Sequence, residues 1–143
     1  MRLWHQSLLP HLPRQQLLGQ HREICALRGN GWGKKHSVVN YVFDHSYRRL
    51  YAYHCFVMNE MEKRGYRPGE EWLEFSYRGK TLGRNTPIPS LDIEEETLPT
   101  ALYRMFVKGD ELVYPEHDEV YLKECLENLK GKGIIIKIKK RKE

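Results

Sequence analysis

Apolar residues recur along this chain mostly at helical spacing. From Pro13 onward, Leu17, Leu18, Ile24, Cys25 and Leu27 share one side of a helix. Pro13 suits its first position, and Gly29 ends it. A turn-rich loop follows, Gly29-Asn30-Gly31-Trp32-Gly33-Lys34-Lys35, and then a short helix is expected over 36–43. The clearest stripe is Leu50, Tyr53, His54, Val57, Met58 and Met61, at i, i+3, i+4, i+7, i+8 and i+11. It predicts a long helix starting near Asp44 or Ser46, with Gly65 at the C′ position and Pro68 beyond.

Beyond that helix the pattern loosens. Residues 70–100, rich in Pro, Gly and acid, read as an irregular surface insertion, with a short hairpin around Tyr77-Arg78-Gly79-Lys80. Helices are expected over 98–107 and 115–130. In the second, Leu122, Cys125, Leu126 and Leu129 face inward and Gly131 is the stop. Ile134, Ile136 and Ile138 alternate with other residues, which suits a short edge strand or an ordered tail. The expected fold is all-α with minor β, a compact single helical domain over 1–143 that ends in a basic tail, 131–143.

Composition narrows the partner. The 143 residues are 40% hydrophobic and 30% charged, enough apolar content for a modest core. No run approaches the roughly 18 apolar residues of a spanning helix. The first residues, Met1-Arg2-Leu3-Trp4-His5, carry no apolar secretion signal, so the cytoplasm is the expected compartment. Cys25, Cys55 and Cys125 cannot all pair within one chain and are expected as thiols. The net charge of +5 is unevenly spread. Residues 1–69 carry net +7, residues 70–130 net −7 and residues 131–143 net +5. A basic first half and a basic tail around an acidic middle suit a polyanion-binding face with an acidic back.

Candidate chemistry gathers in the first thirty-five residues. Arg2, Arg14, Arg22 and Arg28 dot this segment, and Glu23 is its single acid before Asp44. A carboxylate in a basic field repels an anionic ligand, so Glu23 either pairs a cation structurally or takes part in chemistry. Arg22 and Glu23 are adjacent and diverge by about 100° on a helix, so one can face a site while the other follows its rim. Lys34 and Lys35 sit in a Gly-rich loop that is either a phosphate cradle or a plain turn. The seven histidines form no H-E-x-x-H or Cys/His ligand motif, although His45 and His54 could approach each other across helix turns. No metal site is expected.

The segment Leu12-Pro13-Arg14-Gln15-Gln16-Leu17-Leu18-Gly19-Gln20-His21-Arg22-Glu23 resembles the first helix of the pyrimidine dimer DNA glycosylases, the phage endonuclease V family. The likeness continues through Lys34-Lys35-His36 and Met61-Glu62-Lys63-Arg64-Gly65-Tyr66. It fades across 70–100 and returns around Tyr114-Pro115-Glu116-His117. The resemblance implies an all-α, monomeric, cofactor-free DNA glycosylase and abasic-site lyase acting on damaged double-stranded DNA. Its nucleophile would be the N-terminal α-amine, with Glu23 as the catalytic carboxylate. Arg22 would hold phosphate and Gln15 would line the same pocket. Arg2 is bulky and predicts that Met1 is retained, so the expected amine is that of Met1. Ala26 stands where the family carries a further basic residue, and Arg28 is expected to substitute for it.

Catalysis is thus expected of Met1 and Glu23, and DNA contact of Arg2, Arg14, Gln15, Arg22, Arg28, Lys34 and Lys35. A non-catalytic nucleic-acid-binding module with the same fold is the alternative. A third reading is a protein-interaction domain using the acidic 70–130 segment with Trp72, Phe75 and Tyr77.

Overall fold

The structure is a computed structural model that describes residues 3–34, 40–45, 47–88 and 113–136. Its centre is a pair of helices, α1 (Arg14–Arg28) and α2 (Tyr47–Lys63). Before them the chain makes a 3-10 turn, Gln6–His11, and between them another, Asn40–Asp44. After α2 come a 3-10 turn, Glu70–Leu73, a single helical turn α3 (Gly79–Leu82), and α4 (Glu119–Gly131). The described residues contain no strand. None of their helices is long and apolar enough to cross a membrane.

Local sequence accounts for the helix ends. α1 starts after Pro13, and its end is closed by the Gly29 N–H on the Cys25 and Ala26 carbonyls. Gly31 then donates to the Ala26 oxygen at 2.8 Å, and a Cβ at position 31 would stand 2.7 Å from that oxygen. The chain can make this close return only with glycine. α2 ends in a Schellman motif: Gly65, at φ 86°, donates to Glu62, and Tyr66 to Met61. Asp118 caps α4 by accepting from the Tyr121 N–H.

The predicted stripe of α2 is buried at all six positions, together with Tyr47, Tyr51, Ala52 and Cys55. α2 is therefore enclosed on most of its circumference. On one side it meets Leu17, Ile24 and Leu27 of α1, Leu3, Leu8 and Leu12 before it, and Cys125 and Leu129 of α4. On the other, Tyr47, Tyr51, Cys55 and Met58 pack under Trp32, Trp72, Leu73, Phe75 and Ile88.

Several expectations need correction. The hairpin expected around 77–80 is instead the helical turn α3, which begins with Gly79 at φ 96°. Residues 70–88 are no loose excursion, because they cover this second cluster. Of the two readings for the alternating isoleucines, the edge strand fails in its described part, 134–136, where Ile134 and Ile136 pack on the core as an ordered tail would. Gly131 lies inside α4, and the stop is Gly133 at φ 83°, with Ile134 donating back to Leu129. The helix expected over 36–43 is a 3-10 turn in its described part. The helix expected over 98–107 lies outside the described residues.

His117 shows how tightly the core is built. Its Nδ1 accepts from the Gln6 N–H at 3.0 Å, which leaves Nε2–H to donate to the Tyr41 hydroxyl at 2.7 Å. Burial pushes its pKa down to about 3. The unfolded chain binds a proton near pH 6.5 and the folded chain does not. Above pH 6.5 the residue is neutral in both states and has no effect. Below it, protonation favours the unfolded chain increasingly, by about 2 kcal/mol at pH 5. His5, His21 and His54 are also pushed down by burial and act in the same direction. Urea unfolding at pH 7, 6 and 5 should show stability falling at each step, with a shallower fall for His117→Gln. Equal stability at the three values would contradict this assignment.

Candidate active site

The start of the described chain is held by three helices. The Trp4 N–H donates to Gln20 Oε1 of α1 at 2.7 Å. The Tyr53 hydroxyl of α2 donates to the Trp4 carbonyl and lies 3.4 Å from the same Gln20 oxygen. The Tyr121 hydroxyl of α4 donates to the Leu3 carbonyl at 2.5 Å. Leu3 is fully buried and Gln20 nearly so.

Glu23 lies three residues beyond Gln20, on the same face of α1. It is half-buried, and its charge reaches the Tyr53 phenol. That phenol is held well above its ordinary pKa, chiefly by burial, with the Tyr121, Cys125, Tyr114 and Glu23 charges adding to it. Gln15 and Arg22 occupy a different, exposed stripe, and the Arg22 guanidinium folds back over Gly19. Arg14 is exposed, its guanidinium 5.7 Å from the Tyr66 ring centre, and Lys34 is exposed. The helix thus turns Gln20 toward the start of the chain, keeps Glu23 half-buried on that same face, and presents Gln15 and Arg22 to solvent. Met1, Arg2 and Lys35 lie outside the described residues.

Arg28, expected at a phosphate, is instead buried with no exposed surface. Its Nε donates to the Tyr47 hydroxyl at 2.9 Å. Its Nη1 donates to Trp72 O and to His54 Nδ1, both at 2.8 Å, and its Nη2 donates to the carbonyls of Glu74 and Tyr77. The guanidinium is also packed against the rings of Tyr47, Tyr51 and Trp72. Arg78, likewise buried, donates to the Arg28 and Gly29 carbonyls. Arg28 sits on the inward face of α1, so it binds residues 72–78 to the helix pair and is closed to DNA.

A second cluster escaped sequence reading. His21 Nδ1 and His54 Nε2 are 2.8 Å apart, and Cys25 Sγ lies 3.8 Å from His21 Nε2 and 4.0 Å from His54 Nε2. Two imidazoles and a thiol this close resemble a zinc donor set. The guanidinium decides otherwise, because it can only donate. His54 Nδ1 must accept from Arg28, so His54 Nε2 carries a proton and donates to His21 Nδ1. His21 Nε2–H then faces the sulfur. The trio is a directed hydrogen-bond chain from Arg28 to Cys25, with a proton where a cation would sit. Burial pushes the Cys25 thiol up to about 12 in this hydrogen-bonded arrangement. The i, i+4 spacing of His21 and Cys25 was visible in the sequence, but their convergence with His54 depends on how α1 packs on α2. His54 is engaged by His21 and Arg28, and His45 by Glu116, whose two carboxylate oxygens lie at 3.0 and 3.1 Å.

Removing the buried cation exposes its structural role. Arg28→Met leaves several buried acceptors without donors and should lower stability by about 3 kcal/mol or more in urea unfolding. Arg28→Lys should recover little, because one ammonium cannot span the same fork of acceptors. Near-native stability of either variant would contradict this role.

A family model described as pyrimidine dimer DNA glycosylase matches residues 1–74, just over half of the chain. No curated protein matches. No solved structure matches.

Proposed function

Since the chain belongs to the pyrimidine dimer DNA glycosylase family, we propose that it is a DNA-repair glycosylase and abasic-site lyase, with the Met1 α-amine as nucleophile and Glu23 as the catalytic carboxylate. The observation that carries this reading is the anchoring of Leu3 and Trp4 beside Gln20, one helical turn from Glu23. Two extended residues span about 7 Å, which confines an amine on Met1 to the surroundings of Leu3.

The chemistry follows from what each group can do. An α-amine has a pKa near 7.7–8.0, so roughly a tenth or more is free base at pH 7. Its lone pair attacks C1′ of the damaged nucleoside. The glycosidic bond breaks, and the base departs with the bonding electrons. Loss of the amine proton and opening of the C1′–O4′ bond give an imine. The imine acidifies C2′–H, and the Glu23 carboxylate accepts that proton. The electron pair expels the 3′ phosphate, and hydrolysis of the imine restores the amine. In the first step Glu23 also stabilises the cationic sugar.

Double-stranded damaged DNA is the proposed partner. Arg14, Arg22 and Lys34, with Arg2 and Lys35, are proposed to hold phosphates, and Gln15 to line the same groove. Selection of the lesion would rest on deformability, since a damaged step unstacks more readily than an intact one.

Borohydride reduction of the protein with an abasic-site duplex should trap a covalent adduct on the first residue, located by peptide mass spectrometry. Glu23→Gln should slow strand cleavage by a factor of about 10² or more while DNA affinity holds. Absence of an adduct, or unaltered cleavage by Glu23→Gln, would overturn the reading. Separately, Arg22→Gln should reduce the slope of log affinity against log salt by about 0.9, as expected when one fewer phosphate is neutralised. An unchanged slope would remove Arg22 from the interface.

A further inference from the structure

We infer that Gln20, Tyr53 and Tyr121 are positioning residues whose joint hold on Leu3 and Trp4 sets the start of the chain against Glu23. This inference rests on the imine reading of the previous section.

Chain ends usually fray, because little holds their backbone against conformational entropy. Here the backbone of residues 3 and 4 is engaged from three directions. Gln20 takes the Trp4 N–H, Tyr53 gives its proton to the Trp4 carbonyl, and Tyr121 gives its proton to the Leu3 carbonyl. The three side chains come from α1, α2 and α4, so the segment is fixed relative to the whole helical frame and not to one element. The bonds are also linked, because the Tyr53 hydroxyl lies within reach of the Gln20 oxygen that receives Trp4.

The choice of glutamine is informative. Position 20 lies on the buried stripe of α1 with Leu17, Ile24 and Leu27. A leucine there would pack without any hydrogen-bonding demand. A buried carboxamide is unfavourable unless its polar atoms are satisfied, and here its oxygen is satisfied by the backbone of the chain's start. Tyr53 repeats the logic, since it is fully buried in the same core and its hydroxyl is bonded to Trp4.

For a nucleophile carried on the backbone, such fixing is how reactive geometry is held. An amine on a fraying end samples many positions, whereas a fixed start keeps it in attack range, and a misplacement of 1 Å can lower a rate about 100-fold. None of the three side chains needs to touch the sugar. Their effect would pass through the position of residues 1–4.

The test uses the full chain under single-turnover conditions with an abasic-site duplex. It reads the maximal rate of borohydride-trapped adduct and the half-saturating DNA concentration separately. Gln20→Met should lower the maximal rate about 10- to 100-fold and leave half-saturation within about twofold. Gln20→Glu keeps an acceptor at the same atom and should recover much of the rate. Tyr121→Phe, at a half-buried site, gives a second reading should Gln20→Met fail to fold, and is expected to lower the maximal rate in the same way. Maximal rates equal to the parent in the folded variants would overturn the inference and leave the imine reading intact. So would a loss of affinity equal to the loss of rate, which would mark a merely structural role. Failure of the unsubstituted protein to form an adduct would instead overturn the imine reading, and this inference with it.

Discussion

The seam between α1 and α2 has to satisfy two polar side chains of α1, Gln20 and Arg28, and much of the structure follows from how it does so. They lie eight residues apart, on the inward side of the helix. Neither has bulk water to bond to. Gln20 is answered by the Trp4 N–H at the chain's start, with the Tyr53 hydroxyl closing on the Trp4 carbonyl beside it. Arg28 is answered by Tyr47, His54 and three carbonyls from the segment after α2. One residue thus recruits the chain that precedes α1, and the other recruits a segment more than forty residues later. Hydrophobic packing drives α1 and α2 together, but it is indifferent to small slips. These directional bonds are not, and they fix which backbone lies against which helix.

The same constraint separates what the sequence made legible from what it hid. The stripe of α2 could be read because its six apolar positions keep a strict helical period. The ends of α1 and α2 could be read because glycine is needed where the chain turns back. Arg28 was misread because its sequence neighbourhood, a basic segment, is shared with surface arginines. Nothing local signals that five acceptors will converge on it from residues 47–77. The supposed hairpin failed for a related reason. Turn residues at 77–80 suit a strand reversal, but a hairpin needs a partner strand, and here the carbonyls of Trp72, Glu74 and Tyr77 are taken by α1's guanidinium. The isoleucines at 134 and 136 alternate like a strand, yet both pack back against the helical core. Among the site residues, the separation of Arg22 from Glu23 was legible from the 100° step alone. The hold on Leu3 and Trp4 was not, because Gln20, Tyr53 and Tyr121 are distant in sequence.

The arrangement of charge on α1 resolves the puzzle of a lone acid in a basic field. Arg14, Gln15 and Arg22 face solvent, while Glu23 is drawn half inside. A polyanion approaching this helix meets the cations first. The carboxylate stands back from the solvent-facing stripe, on the same face of the helix as Gln20, where its repulsion of phosphate is weakened by distance and screening. On the proposed reading this is the order the chemistry needs: attraction at the rim, and negative charge at the point where a sugar turns cationic.

The histidines and the amine lead to the same pH range for independent reasons. His117 and its buried counterparts weaken the fold only below about pH 6.5, where the unfolded chain gains protons that the core refuses. An α-amine gains reactive free base as pH rises toward 8. Stability therefore makes no demand against activity across the range in which such an amine deprotonates. A buried lysine in the same role would face a conflict that the amine avoids. Its pKa near 10.4 would have to be lowered by about three units through desolvation, and the structure around it would have to bear that strain. On the proposed reading, a nucleophile that begins near neutrality needs only to be held in place, and that is the part assigned to the bonds at Leu3 and Trp4.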